Sequence, residues 1–228
     1  MPKGLRVLVS TATLTAIGCA LVTFCTVAHG QGNIRGLPGI QAFDPREIRL
    51  LPPFCINTDT FRDRIPGGRN STLIEQWHAQ MGPTFIYMHH YCYGLMKTNR
   101  ATLFALDQAT RTFYLRDAVA EFDFVIARAA PDFYLLPEIL TRKGENLIRL
   151  GLGEAGLLDL ERAIELKRDY WPAYAHISDF HKSKGDLRAA RQWLQQGLAE
   201  SPDSKGLLRR LAELDVAEQT RRGGANKR

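Results

Sequence analysis

Between Leu140 and Gly197 the chain repeats itself with a spacing of 34 residues. Gly144 and Ser178 are small residues in equivalent places, and the same register pairs Leu140 with Tyr174, Leu160 with Leu194 and Ala163 with Gly197. In a stretch without strand alternation a repeat of this length has room for two short helices and a turn, and a single such unit cannot bury its own apolar face. Units of this kind stack. Their small residues sit where two helices cross closely, because bulkier side chains there push the helices apart. The recurrence therefore predicts stacked helix pairs over residues 137–204, and no segment from Thr72 onward alternates like a strand.

The flanks of this array are read from local signals. In "SKGLLRRLAELDVAEQ", Leu207, Leu208, Leu211 and Leu214 share one face, which predicts a capping helix over 205–222 that covers the last apolar surface. A basic tail, 223–228, follows. Upstream, residues 72–136 read as helical, opening on a capping box of Thr72 and Glu75. A third, degenerate unit is expected there, with "HHYCYGL" as its first helix, Ala120, Phe124 and Ala127 on its second, and an insertion of about 14 residues between them. Residues 31–71 carry prolines and glycines without either period and read as a loop-rich arm. One short helix is expected inside it at "DPREIRLL", capped by Asp44 with Pro45 first and Glu47 third.

Residues 1–30 have the order of a secretory signal peptide. A basic "MPKGLR" precedes the apolar "VLVSTATLTAIGCALVTFCTV", and the small Ala28 and Gly30 precede a polar "QGN". The alternative is an uncleaved membrane anchor over residues 7–27, which is long enough to span a bilayer although hydroxyl residues and Gly18 weaken it. A lipid on Cys19 is disfavoured by the apolar "ALVTF" that follows. Cleavage takes Cys19 and Cys25 away and leaves Cys55 and Cys92, and two cysteines in an exported chain suggest one disulfide. The net charge of +6 is spread as a solvated surface, so no nucleic-acid partner is expected. Only the tail "TRRGGANKR" clusters basic groups that can touch an acidic partner or a membrane.

The segment "PAYAHISDFHKSKGDLRAARQWLQQGLAESPDS" resembles the tetratricopeptide repeat family, with Tyr174, Ile177 and Ser178 on its first helix, the turn "KGD", then Ala190, Leu194 and Pro202. The preceding unit keeps Gly144, Leu160 and Ala163, but has Gly156 where the family places alanine and Arg168 where it closes with proline. The resemblance implies an all-α, short helix-turn-helix solenoid, with the loop-rich arm at its N-terminus and the capping helix at its C-terminus. It also implies a groove for a protein or peptide partner, lined by the first helix of each unit. Here that groove would offer Glu138, Thr141, Glu145 and Ile148, then Ala175, Asp179 and Lys182. It implies no cofactor.

Three patterns invite a chemical reading. "GLGEAG", from Gly151 to Gly156, matches a dinucleotide fingerprint, but that motif works between a strand and a helix and here it lies between two helices. Ser178, Asp179 and His181 point in different directions on a helix and form no nucleophile and base. In "MHHYCYGLM", Phe85, Met88, Cys92, Leu95 and Met96 share a core face with His89 at its edge. Met88, His89, Cys92 and Met96 can in principle converge on a soft ion such as Cu(I). His90 points the opposite way. The competing use of Cys92 is a disulfide with Cys55, which removes the best ligand. The expected function is that of a non-catalytic, exported binding scaffold, with a copper-binding protein as the alternative.

Overall fold

The computed structural model describes residues 43–225, with side chains to residue 219. The expected leader, the arm before residue 43 and the last three residues of the tail lie outside the described residues. Those described are all-α and contain no strand. After a short α1 (Pro45–Ile48) come α2 (Ser71–Met81), α3 (Met88–Asn99) and α4 (Gln108–Ile126). The repeat region forms α5 (Leu136–Arg149), α6 (Gly153–Leu166), α7 (Trp171–Ser183) and α8 (Leu187–Glu200), and α9 (Lys205–Ala225) closes the array.

The repeat register is visible in the turns. Gly151 and Gly185 both have positive φ, 82° and 81°, a conformation that a side chain disfavours. At each, the next residue donates back across the helix end, Leu152 N–H to the Leu147 carbonyl and Asp186 N–H to the His181 carbonyl. With the bonds from Gly151 to Ile148 and from Gly185 to Lys182 these are paired Schellman ends, which return the chain into α6 and α8. Asp186 then caps α8 by accepting from Ala189 N–H at 2.9 Å.

Packing explains the small residues. A Cβ built on Gly144 would lie 2.7 Å from the Gly156 carbonyl oxygen, and one on Gly156 would lie 2.6 Å from the Gly144 carbonyl oxygen. The two backbones touch at this crossing, and Leu160, Ala163, Ala173 and Ile177 fill the layer beside it. Tyr174, Ala190, Leu194, Leu207 and Leu214 form the next layer. Gly144→Trp is therefore expected to destabilise the domain by about 1–3 kcal/mol or more through overpacking. Lys182→Glu should change stability little, because its partner Glu213 is 3.9 Å away and both are solvated. Equal thermal melts for the two variants would contradict this placement of the crossing.

Successive first helices meet along one side, α3 with α5, α5 with α7 and α7 with α9, while each second helix packs on its neighbours in sequence. At the place of the expected third unit α3 packs on α4, and the pair differs from the sequence expectation in two ways. No long insertion separates its helices. A π turn at Arg100–Phe104 extends α3, α4 runs longer than its counterparts, and Ala105 to Asp107 suffice as a connection. The register also shifts: Ala120 and Ala127 are exposed and Phe124 half-buried, whereas Ala118, Phe122 and Val125 are buried. The Phe122 ring fills the space over Gly94, where a Cβ would lie 2.5 Å away.

Two local expectations are corrected as well. Asn70, not Thr72, caps α2, accepting from Leu73 N–H at 3.1 Å, so the helix starts two residues earlier than the Thr72 cap implies. On α9, Leu207 and Leu214 are buried and Leu211 partly so, but Leu208 is 48% exposed. The described part of the arm is held firmly despite its lack of period. Asp44 caps α1 as expected. Leu51, Phe54, Cys55 and Phe61 share one core with Phe85, Met88 and Phe122. Trp77 donates to the Asn57 side chain, which itself donates to the Gly68 carbonyl.

Candidate binding surface

α3 settles the use of "MHHYCYGLM". The Cys92 sulfur is bonded to Cys55, with Cα atoms 5.7 Å apart, and both residues are fully buried. Met88 and Met96 are core residues of the same cluster. His89 donates from Nδ1 to the Ile86 carbonyl at 3.0 Å, and burial lowers its pKa, with His90 beside it adding to the effect. His90 donates to Glu121 of α4 at 2.5 Å and stacks on Phe124, but its ring centre stays 4.2 Å from that of His89 rather than on the opposite side of the helix. The disulfide thus takes the sulfur that a soft-metal reading of Met88, His89, Cys92 and Met96 requires. Among the described residues no group of three or more His, Cys, Asp or Glu side chains is placed to hold a metal ion.

The side on which the first helices meet carries a row of paired charges. On α5, Glu138, Arg142, Glu145 and Arg149 recur at intervals of three and four and form one stripe. Tyr91 of α3 donates its hydroxyl to Glu138 at 2.7 Å. Arg142 lies 3.6 Å from Glu138 and 4.0 Å from Glu145, and Arg149 holds Glu145 at 2.6 Å. The row continues across α7, where His176 Nδ1 is 3.9 Å from Glu145, and reaches α9 through the pairs Asp179 with Arg210 and Lys182 with Glu213. Tyr170 stands beside this row, its pKa pushed up to about 12 by burial, with Glu138 adding and Arg142 opposing.

No protein-family model matches this chain, and no curated protein matches it. The surface is therefore read from its own chemistry. Of the groove residues expected from sequence, Glu138, Glu145, Asp179 and Lys182 belong to this row. Thr141 and Ala175 do not, being 2% and 1% exposed, because contacts between successive first helices bury that flank. Ile148 is half-buried and packs toward Gly156. The sequence reading missed Arg142, His176 and Arg210. Their signal was available for Arg142, one turn from Glu138, but the reach of Arg210 to Asp179 depends on the angle of α9.

The row can hold polar and charged groups but has no nucleophile with a base. Ser178 is buried at its helix crossing, and Asp179 is engaged by Arg210 at 3.0 Å. "GLGEAG" is spent on structure: Gly151 makes the turn, Gly153 lies against the Phe180 ring, and Gly156 meets Gly144.

His176 makes stability depend on pH. Burial lowers its pKa below 6.5, outweighing the pull of Glu145 and Asp179, while Arg210 and Arg142 reinforce the shift. The unfolded chain binds this proton near pH 6.5 and the folded chain only at lower pH, so stability falls as pH drops through that value. His89 acts in the same direction. Urea midpoints at pH 7.5, 6.5 and 5.5 should decline with acidification, and His176→Gln should flatten the decline. A midpoint independent of pH over this range would contradict the assignment.

Proposed function

We propose that this chain is a non-catalytic binding scaffold of the cell envelope that holds a protein or peptide partner along the side where α3, α5, α7 and α9 meet. The observation that carries this reading is the continuous charged row from Tyr91 to Arg210, presented by helices that touch one another in order. Stacked helix pairs offer such extended surfaces without needing a deep pocket. The resemblance to the tetratricopeptide repeat family supports the same use, as an analogy of fold.

Export is part of the proposal. The order of the leader supports it, and the buried disulfide fits an oxidising compartment, where such bonds persist. Among the described residues no helix is long and apolar enough to cross a membrane. The mature protein is expected to begin near Gln31, which N-terminal sequencing of the cell-envelope fraction checks; an intact Met1 there would point to the anchor instead. Binding is tested by cross-linking in intact cells and pull-down, comparing the native chain with an Arg142→Glu, Lys182→Glu double variant. The partner recovered with the native chain should be lost from the double variant. Equal recovery with both would remove the row from the binding surface.

A further inference from the structure

On the opposite flank of α3 from Tyr91 lies a cavity of about 300 Å³, bounded by α3, α4 and the arm. That volume is at the lower end of small-molecule sites. Its floor is aromatic. Phe43 and Tyr93 line it, the fully buried Phe61 lies behind them with its ring centre 4.7 Å from each, and the buried Met96 adds an apolar wall.

The two polar sides of this cavity differ in sign. On the arm side, the Arg64 guanidinium lies 5.8 Å from the Phe43 ring centre, and no carboxylate among the described residues forms an ion pair with it. On the helix side one ammonium faces two carboxylates: Lys97 lies 2.8 Å from Asp117 and 2.5 Å from Glu121. The second oxygen of Glu121 accepts from His90 at 2.5 Å, while the Asp117 side chain remains one-third exposed and has Lys97 as its ion-pair partner. The rings between the two sides favour an apolar body, and their faces also tolerate a nearby cation.

We propose that this cavity binds a small zwitterion with an apolar body, of the class of an α-amino acid with an aromatic or large aliphatic side chain. Its carboxylate would lie toward Arg64, which can present two parallel N–H donors. Its ammonium would lie toward Asp117, where negative charge is in excess. Its side chain would rest on Phe43 and Tyr93. The site is separate from the charged row proposed to hold a protein partner, since Tyr93 and Lys97 line this cavity whereas Tyr91 bonds Glu138 of α5.

Isothermal titration of the full, disulfide-bonded chain tests this with four probes: L-phenylalanine, L-leucine, 3-phenylpropionate and phenethylamine. The two amino acids should bind at micromolar to low millimolar concentration, and each analogue lacking one charge should bind at least tenfold more weakly. Arg64→Gln and Asp117→Asn should each weaken phenylalanine binding by tenfold or more while their thermal melts stay close to that of the native chain. Three results would overturn the proposal: no heat from either amino acid at 10 mM on the order of the weakest useful affinities, equal binding of 3-phenylpropionate or phenethylamine and phenylalanine, or unchanged binding in both folded variants.

Discussion

Replacing Glu47 with alanine is expected to cost about 3–5 kcal/mol of folding stability, the range found when one partner of a buried ion pair is removed. Glu47 and Arg100 are both fully buried, 53 residues apart in sequence. Arg100 donates from Nε to one carboxylate oxygen at 2.5 Å and from Nη2 to the other at 2.9 Å, a two-pronged contact. Its guanidinium also lies 5.7 Å from the Tyr114 ring centre. Without Glu47 the buried guanidinium loses its carboxylate, and the arm loses its hold on the end of α3. Glu47→Gln should fall between alanine and the native residue, because it keeps an acceptor but not the charge. Urea unfolding gives the measurement. A shift below about 1 kcal/mol for Glu47→Ala, as for an exposed pair, would show that water reaches this site in solution.

Loss of the Cys55–Cys92 bond should cost about 4 kcal/mol by the chain-entropy estimate for the 37-residue separation. Cys55 lies in a short 3₁₀ segment, Pro53–Asn57, whose Phe54 packs on Tyr91 and Trp77, and Cys92 is central in α3. The bond therefore ties a stretch without long helices to the best-packed part of the molecule. Cys55→Ser, Cys92→Ser and the double variant should lose similar stability, since any of them removes the same cross-link. Limited proteolysis should then cut first between residues 59 and 70, where Asp59, Asp63, Arg64 and Arg69 are exposed. Intact mass with and without reductant gives the direct check. Two alkylatable thiols in the non-reduced protein would return Cys92 to the pool of possible metal ligands.

The parts of this fold that could be read from sequence are those set by short, repeated constraints. Gly144 and Gly156 are small because two backbones touch, with Ser178 and Ala190 34 residues on, and Gly151 recurs as Gly185 because a turn needs positive φ; neither requirement depends on distant residues. The pairing of Cys55 with Cys92 followed from counting once the leader was set aside. What could not be read depends on tertiary context. The arm has no period, yet Glu47, Phe54 and Phe61 are ordered by partners on α3. α4 carries aromatic residues on several faces, so no single stripe announced that Ala118 and Phe122, rather than Ala120 and Phe124, would face α3. The π turn, with Ala105 N–H donating to the Arg100 carbonyl at 2.8 Å, adds a residue that helical spacing does not foresee. On the candidate surface, Glu138 and Glu145 were expected from the family resemblance, and both take part in the charged row. Thr141 and Ala175 were misplaced because the wheel of one helix does not show how closely the next first helix approaches.

Site-specific photo-cross-linking in intact cells tests the central claim most directly. A photoreactive amino acid is placed at Arg142 or Lys182 in the charged row, or at the exposed Gln195 of α8 as a control away from it. The scaffold reading predicts one discrete adduct of the same mass from both positions in the row and none from Gln195. Adducts formed equally at Gln195, or at Gln195 alone, would contradict it.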